Sequence, residues 1–106
     1  MALVWKSKPA LDDVEVARIF HALAHPIRLR IVRLLLEGEA WACHEIVDRL
    51  PIAQSTVSQH LKVLRNAGIV SDSSNGTGRH YKFQEGAMDK VRRYLKDFED
   101  KSLIYD

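Results

Sequence analysis

The segment from residue 54 to residue 65 combines hydroxyl, amide and basic side chains and contains no acid. Its polar residues are Gln54, Ser55, Thr56, Ser58, Gln59, His60, Lys62 and Arg65. Exposed helices are usually rich in Glu and Lys, whereas Ser and Thr are poorer helix residues. Amide and hydroxyl groups can pair with base edges in the major groove, and cations can reach phosphates. This composition favours contact with duplex DNA over an ordinary solvated helix surface.

The charge distribution along the chain supports contact with a polyanion. The net charge of the 106 residues is only +2, but residues 54–83 carry Lys62, Arg65, Arg79 and Lys82 against a single acid, Asp72. One basic segment in a weakly charged protein suits contact with nucleic acid along one face. Arg79 falls in a predicted hairpin, from which its side chain can reach the DNA backbone or the minor groove. A basic patch or an exposed hairpin alone would be unremarkable surface, so the polar segment is needed to indicate DNA.

Apolar periodicity predicts the elements that position these side chains. Helices are predicted at about residues 12–24, from Pro26 to before Gly38, at about 43–49, at about 54–66 and at about 87–102. Two extended runs, 69–73 and 79–83, flank the hairpin signal Asn75-Gly76. The sequence therefore predicts a mostly α-helical fold with a small β-hairpin wing. This is a winged helix-turn-helix in the order α-α-α-α-β-β-α, occupying residues 1–106 as one domain.

Composition argues against several other classes of protein. The apolar fraction of 46% and the charged fraction of 28% are ordinary for a folded soluble domain. No apolar run approaches the roughly 20 residues that a membrane span requires, and residues 1–10 lack the apolar core of a signal peptide. The lone cysteine, Cys43, suits a reducing compartment, so we expect a cytoplasmic protein without a membrane partner. No catalytic triad order, phosphate-binding glycine loop or carboxylate cluster is present, so no enzyme is expected.

Three separate segments resemble the ArsR/SmtB family of winged-helix repressors. Residues 21–38, which begin His-Ala-Leu-Ala-His-Pro, look like the start of that family's domain. Residues 54–70, which begin Gln-Ser-Thr-Val-Ser-Gln-His, resemble its recognition helix, and residues 78–83 resemble the second strand of its wing. The resemblance covers about residues 14–84. It implies a homodimer, paired through the first and last helices, that represses its own operon and releases DNA when an effector binds.

One position departs from the family's pattern. Members often place Ser or Thr at the cap of the recognition helix, whereas this chain has Ala53. A hydroxyl cap contributes about 1 kcal/mol, so that stabilising bond is expected to be missing here.

The predicted terminal helices carry more apolar side chains than one small core easily hides. These are Val16, Ile19, Phe20 and Leu23 in the first helix, and Val91, Tyr94, Leu95 and Phe98 in the last. A two-fold dimer formed by residues 12–24 and 87–102 would bury them. It would also place two recognition helices about one DNA turn apart, which predicts a near-palindromic operator. The alternative is that the last helix only covers its own core.

The sequence does not identify an effector. Relatives that sense metal use a Cys-x-Cys pair on the third helix, and the matching positions here are Ala42 and His44, with Cys43 between them. A second family site needs His on the last helix, but no His follows His80. Because no tetrahedral ligand set can be assembled, we predict neither a metal nor another cofactor. Two alternatives remain open: a metal- or redox-responsive repressor using Cys43 and His44, and a winged helix that docks onto another protein.

Overall fold

The computed structural model describes residues 11–74, 76 and 78–100. Its helices are α1 (Leu11–Leu23), α2 (Pro26–Leu35), α3 (Cys43–Val47), α4 (Gln54–Asn66) and α5 (Asp89–Glu99). Its strands are β1 (Trp41–Ala42), β2 (Val70–Ser74) and β3 (Arg79–Phe83). The predicted mostly helical winged helix-turn-helix is confirmed. Within the described ranges, no helix combines the length and the apolarity needed to cross a bilayer.

The sheet contains one strand that the sequence did not predict. β1 pairs antiparallel with β3, with Trp41 opposite Tyr81 and Ala42 opposite His80, so the strand order is β1-β3-β2. β2 and β3 form the predicted wing, in a register from Val70 opposite Phe83 to Ser74 opposite Arg79. A strand of two residues is too short to show alternation, and its pairing with residues 38 and 40 positions later is a tertiary feature.

Several predicted helix ends shift by a few residues. α3 ends at Val47 rather than at about Arg49, because the amides of Arg49 and Leu50 bond to the carbonyls of Ile46 and Val47 in tighter turns. α5 begins at Asp89 rather than at about Ala87, since residues 84–88 form a turn in which Gly86 has a φ of +81°. Its last helical residue is Glu99; the predicted end at Ser102 lies outside the described residues.

Apolar side chains from the five helices α1 to α5 and from β2 meet in one core. The largest fully buried members are Val16, Ile31, Leu35, Ile46, Val57, Leu61, Leu64 and Ile69. In α2 and α4 the buried positions repeat every three or four residues, which places them on one side of each helix. Burial on that side leaves the opposite side of α4 facing solvent.

Local hydrogen bonds define the start of α2 and the end of α4. His25 caps α2: its Nδ1 accepts a hydrogen bond of 3.0 Å from the amide of Ile27, and Pro26 occupies the first turn. α4 ends in a Schellman motif, in which the amides of Gly68 and Ile69 bond to the carbonyls of Arg65 and Leu64 at 3.0 Å each. Gly68 has a φ of +78°, a left-handed conformation that costs glycine little. This turn directs the chain from α4 straight into the wing.

Candidate nucleic-acid interface

α4 has one buried and one exposed face. Val57, Leu61 and Leu64 are at most 1% exposed and anchor the helix to the core. Five polar residues that the sequence placed in the DNA-binding surface are exposed on this helix: Gln54, Ser55, Ser58, Gln59 and Lys62. The other predicted members on this helix, Thr56, His60 and Arg65, are half-buried at its flanks. The structure thus exposes five of the eight predicted polar side chains on a helix that is anchored to the core.

The start of α4 is electropositive and carries no side-chain cap. Ala53 occupies the N-cap position and makes no side-chain hydrogen bond, as the sequence predicted, and no acid lies in the first turn. The helix dipole adds a partial positive charge at this end, with backbone N–H groups directed outward. Such an end favours an anion, and here it adjoins the exposed polar face.

α3 holds the N-terminal half of α4 in place. Ile46 and Leu50 are buried, at 0% and 6% exposure, against the core. Glu45 accepts a hydrogen bond of 2.8 Å from the amide of Ala42, which stabilises the first turn of α3. The Sγ atom of Cys43 lies 3.8 Å from Oγ of Ser58 on α4. The two helices of the helix-turn-helix, α3 and α4, therefore contact each other through the Cys43–Ser58 pair as well as through buried apolar side chains.

A carboxylate joins the wing to α4. Oδ2 of Asp72, on β2, lies 3.3 Å from Nη1 of Arg65 on α4 and 3.2 Å from Nη1 of Arg79 on β3. The Asp72 side chain is 19% exposed, whereas those of Arg65 and Arg79 are 37% and 53% exposed. A cleft of about 200 Å³ beside this group is lined by Ser58, Lys62 and the two arginines, among others. The structure therefore brings the predicted wing residue and the end of the polar helix face together.

The side chain of His60 packs against other residues of the protein and is only half-exposed. Its ring lies 4.5 Å from that of His25, centre to centre, at an interplanar angle of 54°. Its Nδ1 is 3.4 Å from Nη1 of Arg28, whose Nε donates a hydrogen bond of 2.5 Å to the carbonyl of Ala22. Burial, together with the nearby His25 and Arg28, lowers the pKa of His60 below its usual value. This contact ties α4 to α2 and to the turn that precedes it.

Sequence reasoning did not assign roles to Arg28, His25 and Asp72. Asp72 had one visible signal, since it is the single acid in the basic segment 54–83. Arg28 had none, because its partner His60 lies 32 positions away in the chain.

The two candidate sensing residues, Cys43 and His44, differ in their exposure to solvent. Cys43 is half-buried beside Ser58, and His44 is exposed. Across the described ranges, no group of three His, Cys, Asp or Glu side chains is arranged to hold a metal ion. Neither a metal-binding nor a redox role follows from this geometry.

Large apolar side chains are exposed on both terminal helices. Val14 and Phe20 on α1 are 49% and 39% exposed, and Leu95 and Phe98 on α5 are 42% and 55% exposed. Leu95 also lines an open concave surface of about 740 Å³ along α5, with Met88 and Val91 deeper in it. By contrast, Val16, Ile19 and Val91, which the sequence placed in the same apolar set, are buried in the chain's own core. The surface left over is thus smaller than expected but still apolar.

Comparison with known proteins connects this geometry to one family. Residues 25–72 match the sequence family described as "Bacterial regulatory protein, arsR family". The chain is 37% identical over 82 residues to an uncharacterised HTH-type transcriptional regulator of Methanocaldococcus jannaschii, an alignment that spans 77% of this chain and 89% of that protein.

Solved structures agree. The transcriptional repressor BigR from Xylella fastidiosa superposes with a TM-score of 0.64 at 35% identity, covering 78% of this chain and 86% of BigR. An ArsR-like transcriptional regulator from Rhodococcus sp. RHA1 superposes with a TM-score of 0.76 at 24% identity, covering 84% and 83% of the two chains. At that identity the second likeness concerns the fold.

Proposed function

Because the chain belongs to the ArsR family of bacterial regulatory proteins, we propose that it recognises a specific operator by placing α4 in the major groove and its wing on the adjoining backbone. It is a DNA-binding transcriptional regulator and not an enzyme. The observation that supports this docking is the exposed face of α4, whose polar side chains extend from an acid-free first turn. Gln and Ser can pair with base edges, and Lys62 and Arg79 can pair with phosphates.

The regulator acts as a homodimer in this proposal. The exposed Leu95 and Phe98 of α5, together with Val14 and Phe20 of α1, form apolar surface that a second copy would remove from water. A two-fold axis through the terminal helices would repeat α4 at a spacing of about 34–36 Å, one turn of DNA. The operator would then be nearly palindromic. In this proposal the dimer binds chromosomal DNA in the cytoplasm.

The regulatory outcome we propose is repression that an effector relieves. The effector itself is unidentified, and Cys43 and His44 enter this proposal only as residues to be tested. A ligand releases DNA when it binds more tightly to the DNA-free protein than to the DNA-bound protein. The difference in binding free energy must offset the free energy of DNA binding.

A selection from random duplexes tests this function. Purified protein is incubated with the pool at low ionic strength, and the enriched duplex is compared with a scrambled duplex by fluorescence anisotropy at several salt concentrations. We expect one enriched, nearly palindromic sequence, with affinity that falls steeply as salt rises. A pool that yields no enriched duplex contradicts the proposal. Repeating the measurement with Zn²⁺, arsenite and a mild oxidant identifies the effector class if one of them releases the DNA.

A further inference from the structure

Asp72 places a negative charge within the surface proposed to meet DNA. It is the single acid in residues 54–83, and its Oδ2 contacts the guanidinium groups of both Arg65 and Arg79. A carboxylate here opposes attraction to phosphates. Partly exposed ion pairs also stabilise proteins little, by about 0–1 kcal/mol. Neither attraction to DNA nor stability of the fold accounts well for an acid at this position.

The position of Asp72 in the sheet explains how it reaches both arginines. Asp72 lies opposite Tyr81 in the β2–β3 pair, so the diagonal residue two positions earlier, Arg79, projects from the same face of the hairpin. Arg65 approaches from the last turn of α4, immediately before the Schellman turn that leads into β2. One oxygen atom therefore connects the recognition helix with the wing at distances of 3.3 and 3.2 Å.

We propose that Asp72 is a positioning residue for sequence-specific binding, which holds Arg65 and Arg79 so that α4 and the wing meet DNA as one rigid surface. This inference rests on the proposed function. A free Arg79 side chain can find a phosphate on any duplex, whereas a held one meets a phosphate only where α4 is correctly seated on the bases. Fixing the guanidinium groups lowers affinity for random DNA and preserves affinity for the operator, so that the difference between the two increases.

Asp72→Asn removes the charge while it keeps the size of the side chain and one oxygen acceptor. We expect affinity for a scrambled duplex to rise, and the slope of log K against log salt to steepen by about 0.9, the value of one added phosphate contact. We expect the ratio of operator to scrambled affinity to fall about fivefold or more, the lower end of what one specific contact contributes.

Matched variants separate positioning from simple electrostatics. Asp48→Asn makes the same chemical change at an exposed site at the end of α3, so a general effect of charge would appear there too. Asp72→Glu retains the charge and should keep the salt slope of the wild type. In an Arg79→Ala background, Asp72→Asn should lose much of its effect on the ratio, because Asp72 then has one arginine fewer to hold.

Fluorescence anisotropy with the selected operator and a scrambled duplex, at about 50–200 mM salt, gives all of these quantities, and thermal melting confirms that each variant is folded. The proposal is overturned if Asp72→Asn leaves the affinity ratio unchanged, matches Asp48→Asn, or weakens both duplexes equally with a lower Tm. Failure of the proposed function looks different, because the wild type itself would then bind no duplex selectively.

Discussion

Ser58 and Gln59 are neighbouring exposed residues on the face of α4 that points away from the core. The hydroxyl of Ser58 also contacts the thiol of Cys43. The side chain of Gln59 is exposed to solvent. Gln59 is therefore the sharper candidate for pairing with a base, since a glutamine amide can bond to adenine in two places.

Gln59→Ala should reduce discrimination between operator and scrambled DNA by about 1–3 kcal/mol, because a bidentate pair to a base edge is lost. Anisotropy titration of both duplexes measures the ratio. Gln84→Ala, which makes the same truncation at an exposed residue after β3, is the matched control. An unchanged ratio for Gln59→Ala would remove Gln59 from the recognition surface.

Arg79→Ala should weaken binding to the operator and flatten its salt dependence by a slope of about 0.9, because one phosphate contact disappears. The side chain is 53% exposed, and its ion pair with Asp72 is too accessible to contribute much to folding. Titrations at several salt concentrations provide the slope. If the slope matches the wild type, the wing does not contact phosphate through Arg79.

The start of α4 lacks the side-chain hydrogen bond that a Ser or Thr at the N-cap would make. Ala53 has the extended backbone of an N-cap residue, with φ of −67° and ψ of 151°, but no side-chain oxygen. Ala53→Ser should therefore raise the free energy of unfolding by about 1 kcal/mol. Thermal melting should show a Tm a few degrees higher, and Ala24→Ser, at an exposed position after α1, should not. A lower Tm for Ala53→Ser would mean that Ala53 is held by packing that a hydroxyl disturbs.

The contact between α2 and α4 should make stability depend on pH. The folded state lowers the pKa of His60, so the unfolded state binds protons more tightly at this site. This contribution to stability is complete above the ordinary histidine pKa of about 6.5 and is lost as the pH falls below it. Protonation would also prevent Nδ1 of His60 from accepting from Arg28 and would add a charge beside His25.

We therefore expect the unfolding midpoint in urea to decrease from pH 7.5 to pH 5.5, and to decrease less for His60→Gln. His44→Gln, at an exposed residue of α3, should keep the dependence of the wild type. Equal pH dependence in the wild type and His60→Gln would show that other groups control it.

The proposed dimer depends on apolar surfaces that a single chain leaves exposed. Phe98 is 55% exposed on α5, where its ring packs edge-on against Tyr94 at 5.2 Å between ring centres. Phe98→Lys should place a charge in the proposed dimer interface with little effect on the protomer's own core. Sedimentation should then show a monomer, and operator affinity should fall about a hundredfold or more, since two linked half-site contacts become one.

Leu36→Lys is the control for a general effect of charge, because Leu36 is 60% exposed outside the terminal helices. It should sediment as the wild type does. A Phe98→Lys variant that remains dimeric would place the interface elsewhere, and a monomeric wild type would exclude the proposed dimer.

Features that depend on neighbours in the chain could be predicted from the sequence. The bounds of α4 were predicted at residues 54–66, as observed, because apolar residues at helical spacing begin after Pro51 and end at Ala67-Gly68. The exposed polar face followed from the same periodicity, since burial of Val57, Leu61 and Leu64 determines which side remains outside. Membership in the family followed from three segments in the right order.

Only the tertiary structure decided which distant side chains meet. β1 pairs with β3, His60 turns towards Arg28, and Asp72 holds both Arg65 and Arg79. The first two contacts join residues 32 to 40 positions apart, which no local pattern predicts. Asp72 and Arg79 meet within the hairpin, but the contact of Asp72 with Arg65 depends on how α4 and β2 pack. Helical and strand periodicity arise from a backbone geometry that repeats within a few residues. The partner of a long polar side chain instead depends on how complete elements pack together.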